Sequence, residues 1–316
     1  MKASASPPWL RSLLGTEPPR GKSLIVTFLG DALAPLGGGI WMGDLIDVAA
    51  LFGLNERLVR TCVYRLAEEG WIEARKEGRR TRYLITALGM RRIAHADRRI
   101  YEPPLQAWDG VWTLVVPARD ASGPPDRVEL RKELEWEGYG QVVPGVFAHP
   151  DADRAMLTDI LDRLRMRDSV AVLAANDLST LGGAPLAQLV RNSWRFEDLD
   201  AQYAHFIEQF EPAHAEILRA PPQPQAAFVA RLWLIHQFRR VSLHDPHLPA
   251  PMMPAGWVGG QAYEVCSALY RALWEPSEAY LRERLGIGRE VASAIAARRF
   301  TAIRPDGSAP RQWSRS

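Results

Sequence analysis

The stretch Asn55–Thr86, NERLVRTCVYRLAEEGWIEARKEGRRTRYLIT, decides how this chain is read. Asn55 offers a side-chain oxygen to the orphan N–H groups of a first helical turn. Behind it Leu58, Val59, Cys62, Val63 and Leu66 recur at helical spacing, which predicts one apolar face. The other face carries Arg57, Arg60, Thr61 and Tyr64 at i, i+3, i+4 and i+7, with Arg65 beside them, so these side chains project from the side that packing leaves unused. Gly70 suits the left-handed residue that closes a helix, and Trp71 to Arg75 reads as a short strand. Lys76-Glu77-Gly78-Arg79-Arg80 is then a basic turn, and Thr81 to Thr86, which includes Arg82, returns as a second strand.

A helix with an exposed polar face followed by a basic hairpin is the plan of a winged helix-turn-helix, whose helix enters the major groove and whose wing contacts the backbone or the minor groove. The plainer alternative is a solvated amphipathic helix beside an ordinary hairpin. The upstream residues favour the first reading. Leu24, Ile25, Phe28 and Leu29 suit an opening helix, Ala34-Pro35-Leu36-Gly37-Gly38-Gly39 interrupts it, and Met42 to Phe52 suits a second helix that Gly53-Leu54 turns into the third. Charge agrees. Residues 1–100 hold 16 Lys and Arg against 10 Asp and Glu, a surplus of six, and the remainder holds 23 against 27, a deficit of four. The basic end is the end with the hairpin, and double-stranded DNA is the partner it implies.

The whole chain, 316 residues with 47% hydrophobic content, is long enough for two or three globular domains. No apolar run reaches the roughly 20 residues of a membrane span. Prolines occupy the N-terminal segment where a signal peptide needs its apolar core, so a cytoplasmic location is expected and no membrane partner. Cys62 and Cys266 belong to no metal or redox spacing and are expected in the core.

Downstream, Ala87 to Arg99 reads as a linking helix with basic pairs at Arg91-Arg92 and Arg98-Arg99. Val111–Val116 (strand), 126–137 (helix), 138–143 and 145–149 (strands), 151–165 (helix) and 170–175 (strand) then follow the β-α-β-β-α-β order of a ferredoxin-like domain. From Leu181 to about Leu285 the pattern is helical, and Trp194, Leu199, Tyr203, Phe206, Ile207 and Phe210 read as core. The fold class expected is α+β multidomain. Its parts are a tail over 1–21, a winged helix-turn-helix over 22–100, a ferredoxin-like domain over 107–180, a mainly α-helical domain over 181–296 and a tail over 297–316.

The runs SLIVTFLGD, LIDVAALFGLNERLVRTCVYRLAEEGW and RKEGRRTRYLIT, and later RLWLIHQFRRVSLHDPHLPAPMMPAGWVGGQAY, strongly resemble the PaaX family, bacterial transcriptional repressors of phenylacetate catabolism. The resemblance covers residues 20–285. It implies that the middle domain is Cas2-like and that an aryl-CoA thioester such as phenylacetyl-CoA releases the protein from DNA. That middle domain is expected to serve dimerisation or structural support, and the protein to act as a homodimer on a partly palindromic operator. Arg231, His236, Arg239, Arg240 and Trp257 are the residues expected to bind that effector, guanidinium groups for phosphates and an aromatic wall for the acyl or adenine part. A local alternative pairs these arginines with carboxylates such as Asp245.

No cofactor and no metal are expected. His236, His244, Asp245 and His247 follow no known cage spacing, and Glu211-Pro212-Ala213-His214 has a proline inside what would be half of a di-iron motif. Catalysis is the rival class. A metal-dependent nuclease in the middle domain would rely on Asp109 and Asp120, a poor ligand set, and a CoA-ester hydrolase would lack a G-x-S-x-G elbow. A DNA-binding scaffold with no small-molecule response is a third possibility.

Overall fold

The computed structural model describes residues 7–15, 19–103, 108–118, 124–150, 152–178, 185–194, 196–285 and 299–300. They form eighteen α and β elements, introduced here in chain order. Helices α1 (Pro8–Leu14) and α2 (Gly21–Phe28) come first, and α2 runs into a π-helical turn, Leu29–Leu33. Strand β1 (Gly39–Trp41), α3 (Met42–Ala50), α4 (Glu56–Glu68), the hairpin β2 (Ile72–Glu77) and β3 (Arg80–Ile85), and α5 (Ala87–Tyr101) follow. Next are β4 (Val111–Pro117), α6 (Pro124–Trp136), β5 (Gly140–Val143), β6 (Val146–His149), α7 (Arg154–Arg163) and β7 (Val170–Asn176). The chain continues through α8 (Leu186–Val190), α9 (Phe196–Arg219), α10 (Pro224–Ser242) and α11 (Gly259–Leu285).

Two compact units emerge, and they cut across chain order. One takes residues 1–103, 203–243 and 259–316, the other residues 104–202 and 244–258. The last helices are therefore packed with the amino-terminal elements, and the loop 244–258 is packed with the middle of the chain.

In the first unit, α4 buries Val59, Cys62, Val63 and Leu66, as helical spacing predicts. Leu58 departs from that expectation and is 40% exposed, because its place in the first turn lies at the edge of the apolar stripe. Asn55 Oδ1 accepts from Leu58 N at 2.9 Å at the start of the helix. At its end Gly70 takes φ +71°, so that its own N–H reaches Ala67 O and Trp71 N reaches Leu66 O, the paired bonds of a Schellman stop. The hairpin turn is tighter than the sequence suggests. Glu77 pairs with Arg80 across Gly78-Arg79, and β1 adds to the other side of β3 to give the order β1-β3-β2.

Behind these elements lies α10, buried on every side from Ala226 to His236 and packed against α11, α2, α5 and α1. One arginine sits within that buried run. Arg231 has no exposure, and its Nε donates to Asp31 Oδ2 at 2.9 Å while Nη1 donates to Glu278 Oε1 at 2.7 Å. Asp31, in the π-helical turn, also accepts from Tyr101 (2.8 Å), Tyr270 (2.9 Å) and Arg299 (3.1 Å). Burial alone would raise the Asp31 carboxyl, but Arg231 and Arg299, with the hydrogen bonds from Tyr101 and Arg231, outweigh it and hold the pKa below the usual range.

Both tails are corrected in part. Within 1–21, α1 has Pro at its first turn and buries Leu10 and Leu13, and Leu13 O accepts from Trp233 Nε1 at 2.8 Å and Gln209 Nε2 at 2.9 Å. Pro, Ser and Gly content hid the i, i+3 spacing of those two leucines. Beyond 297, Phe300 is fully buried against Tyr101, Tyr263 and Tyr270, beside the buried Arg299. Residues 301–316 lie outside the described residues.

The second unit has the expected β-α-β-β-α-β succession, all antiparallel, in the order β5-β6-β4-β7. Val115, Leu130, Leu134, Phe147, Leu157 and Ile160 form its core on the helical face. Trp112, Ala148, Val190, Leu248 and Met252 form a second cluster that holds α8 and the 244–258 loop. The edge strand β5 is capped, since Ser193 Oγ accepts from Gln141 N at 3.0 Å and donates to Gln141 O at 3.2 Å. The other edge, β7, leaves Val172 45% and Leu173 50% exposed.

Replacing Asp31 by Asn leaves two buried guanidinium groups short of a countercharge. Asp31→Asn is expected to cost about 3–5 kcal/mol of stability, the range for removing one partner of a buried pair. Urea denaturation followed by circular dichroism measures it, and a loss under about 1 kcal/mol would contradict the role given to this carboxylate.

Candidate nucleic-acid interface

The outer face of α4 presents Arg57, Arg60, Thr61, Tyr64 and Arg65 to solvent, with Asn55 at the helix start. Tyr64 is 65% exposed. A hydrogen bond to Glu68 raises its hydroxyl above the ordinary value, so it stays a neutral phenol at neutral pH. Thr61 Oγ1 donates to Arg57 O at 2.9 Å, and Arg60 Nε donates to Glu56 Oε1 at 2.8 Å. That exposed i,i+4 pair is worth only about 0.3–0.5 kcal/mol, so a phosphate or a base edge can displace Glu56.

The hairpin exposes Lys76, Arg79 and Arg80, while Thr81 and Arg82 are half-buried. Arg80 lies over the Trp41 ring, 4.4 Å from its centroid. Arg82 lies across β1 in the space that glycine leaves, since a Cβ at Gly39 would stand 2.8 Å from Arg82 Nη2. Behind the hairpin, Arg92 stacks 5.1 Å from the Trp71 centroid and donates to Glu69 O at 3.1 Å. Trp41 and Trp71 are supports that sequence reasoning missed. Trp41 reaches the hairpin only through strand pairing with Arg82, which local spacing cannot reveal.

The five residues expected to hold an effector are not brought together. Arg231 is committed to Asp31 and Glu278 rather than to Asp245, with no exposed guanidinium, and is corrected from ligand contact to structural charge. His236 is buried. Thr27 Oγ1 donates to Ser23 O and accepts from Arg239 Nη1, both at 3.0 Å, which leaves His236 Nδ1–H as the donor in its own 3.0 Å bond to Thr27. Arg239 also donates to Ser23 O at 3.0 Å. Arg240 is exposed and donates to Gln237 Oε1 at 3.2 Å. Trp257 belongs to the other compact unit and packs on Phe196.

Among the described residues no three His, Cys, Asp or Glu side chains converge as metal ligands. Asp109 Oδ1 accepts from Val111 N in a turn, and Asp120 lies outside the described residues. Among them too, no helix is long and apolar enough to cross a membrane.

A basic helix–hairpin module backed by C-terminal helices, together with a ferredoxin-like unit, defines a mixed helix-and-sheet protein of modular build. Three family profiles fall on those parts: "PaaX-like protein" on residues 20–89, "PaaX protein central Cas2-like domain" on 105–190 and "PaaX-like protein C-terminal domain" on 194–283. The chain is 32% identical over 278 residues to the transcriptional repressor PaaX of Escherichia coli K12, covering 87% of each. It belongs to the PaaX family. An uncharacterized protein from Mycobacterium tuberculosis superposes with a TM-score of 0.49 at 21% identity, over 82% of this chain and 97% of that one.

His236 ties this region to pH. Burial, then the charges of Arg239 and Arg240, pull its pKa down to about 3. The unfolded value is about 6.5, so between the two the unfolded chain binds the extra proton. The contribution is intact above pH 6.5 and drains away as pH falls toward 3. Wild type is expected to lose about 1.4 kcal/mol more per pH unit than His236→Gln between pH 6 and 4. Urea titrations across that range check it, and parallel slopes would contradict it.

Proposed function

We propose that the protein is a DNA-binding transcriptional repressor whose α4 reads the major groove while the β2–β3 hairpin holds the backbone, as a winged helix-turn-helix does. The observation that carries this is the uninterrupted solvent exposure of Arg57, Arg60, Thr61, Tyr64 and Arg65 on a helix whose other face is buried. The name of the E. coli relative supports the repressor role over the catalytic rivals. A homodimer on a partly palindromic operator follows the same reading, with half-site centres about 34–36 Å apart or a multiple of that. The exposed edge of β7 suits antiparallel pairing with its copy about a two-fold axis.

The effector is proposed from family membership as an aryl-CoA thioester, phenylacetyl-CoA foremost, and the governed operon as one for aromatic-acid breakdown. Of the α10 residues expected to meet it, Arg240 is the exposed one. The packing of α10 and α11 against the amino-terminal elements supports a direct coupling. In that unit Arg284 of α11 pairs with Asp47 of α3, so a ligand with different affinities for two arrangements of these helices would shift how the reading helix is held.

Two measurements test the reading. In gel-shift titrations at several salt concentrations, Arg57→Ala or Arg60→Ala is expected to lose about 1–3 kcal/mol of operator affinity if the side chain reads a base edge, whereas a phosphate contact weakens all sequences alike and flattens the salt slope. Unchanged binding in both variants would remove the assignment. In thermal-shift assays aryl-CoA thioesters should stabilise the protein and free aryl acids should not; the reverse order would overturn the CoA proposal.

A further inference from the structure

In a helix-turn-helix the first helix of the pair crosses the DNA backbone while the second enters the groove. Here that first helix is α3, MGDLIDVAA, and its charged residues are two acids, Asp44 and Asp47. Leu45, Val48 and Ala49 are buried, which leaves Gly43, Asp47 and Ala50 on the exposed side with Asp44 half-buried beside them. The amino end of α3 also adjoins the hairpin, because Trp41, its N-cap residue, lies under Arg80 at 4.4 Å. Bare carboxylates in that place would repel phosphates.

Arg284 answers both acids. Its Nη2 donates to Asp47 Oδ2 and stands 3.8 Å from Asp44 Oδ1. The arginine comes from the last turn of α11, 237 residues beyond Asp47, and α11 is held firmly just before it. Leu281 is buried, and Tyr280 stacks on Phe228 of α10 at 5.0 Å. Glu278, about 9 Å back along the axis at the helical rise, accepts from the buried Arg231. Helix-dipole complementarity accounts for Asp44 at the start of α3 and for Arg284 at the end of α11, each on its own helix. It does not account for Asp47 in the middle of α3, nor for one guanidinium that meets both acids. Stability is a poor reason too, since exposed ion pairs contribute little to it.

We propose that Arg284 is a positioning residue for DNA binding: it turns the Asp44 and Asp47 carboxylates toward α11 and screens them from the phosphate backbone that α3 crosses. This rests on the repressor reading and adds to it that the C-terminal helix sets whether the helix pair meets DNA with its acids covered or bare. Fluorescence anisotropy of the full chain with a labelled mixed-sequence duplex, at about 50 mM and about 200 mM salt, tests it, because phosphate repulsion needs no operator sequence. Arg284→Ala is expected to weaken binding about three- to tenfold at the lower salt and less at the higher, with an unchanged thermal midpoint. Asp44→Asn with Asp47→Asn is expected to bind at least as tightly as wild type, and adding Arg284→Ala to that pair is expected to cost less than about twofold. Should the paired Asn chain melt more than about 5 °C below wild type, Asp47→Asn alone takes its place. Wild type that leaves the duplex unbound would fail the repressor reading itself. With wild type bound, three results would overturn this inference alone. They are unchanged affinity in Arg284→Ala, equal weakening by the Asn pair, which would make the contact a strut, and a full Arg284→Ala loss in the Asn background, which would make the arginine a direct phosphate contact.

Discussion

A single carboxylate organises the larger of the two units. Asp31 sits without solvent at the irregular end of the first long helix and gathers Arg231, Arg299, Tyr101 and Tyr270 from four separate stretches of the chain. Taking such charges out of water costs several kcal/mol per ion, which is recovered only when each oxygen and each N–H finds a partner. That condition constrains the backbone. The π-helical turn Leu29–Leu33 places Asp31 inward, and Glu278 takes the guanidinium edge of Arg231 that Asp31 leaves. Hydrophobic burial around α10 makes the packing favourable, while the ion cluster admits few registers of α2, α5, α10 and α11 relative to one another.

The same cluster explains why α4 is held where it is. α4 gains its apolar contacts from α2, α3 and β2, and α2 is in turn fixed to α10 through Thr27, His236 and Arg239. An exposed, charged surface with little packing of its own thus rests on an interior with almost no freedom. The arginines on α4 are exposed, while Arg80 and Arg82 of the hairpin lie against Trp41 and Gly39. Their backbone positions are set from behind.

Much of this was legible in the sequence where the signal is local. Asn55, Gly70 and the alternation between buried and exposed positions of α4 are contained within sixteen residues, and the ferredoxin-like order follows from successive short periodic runs. The fate of Arg231 was not legible, because its partners lie 200 and 47 residues away and a buried arginine looks like a ligand-binding one until its carboxylates are located. His236 and Trp257 were read together by nearness in sequence, yet the chain passes from one compact unit to the other between them. Leucines 10 and 13 were masked by the composition around them, and Leu58 shows that a periodic match at the end of a stripe does not guarantee burial.

The discontinuous make-up of the first unit has a consequence for synthesis. At about 5–20 residues per second, the amino-terminal elements leave the ribosome several seconds or more before α10 supplies the partner for Asp31. Through that interval the nascent chain carries an uncompensated acid and uncovered leucines. The intervening β-α-β-β-α-β segment comes from one continuous stretch and can form early, whereas the first unit becomes native only as the last helices are made.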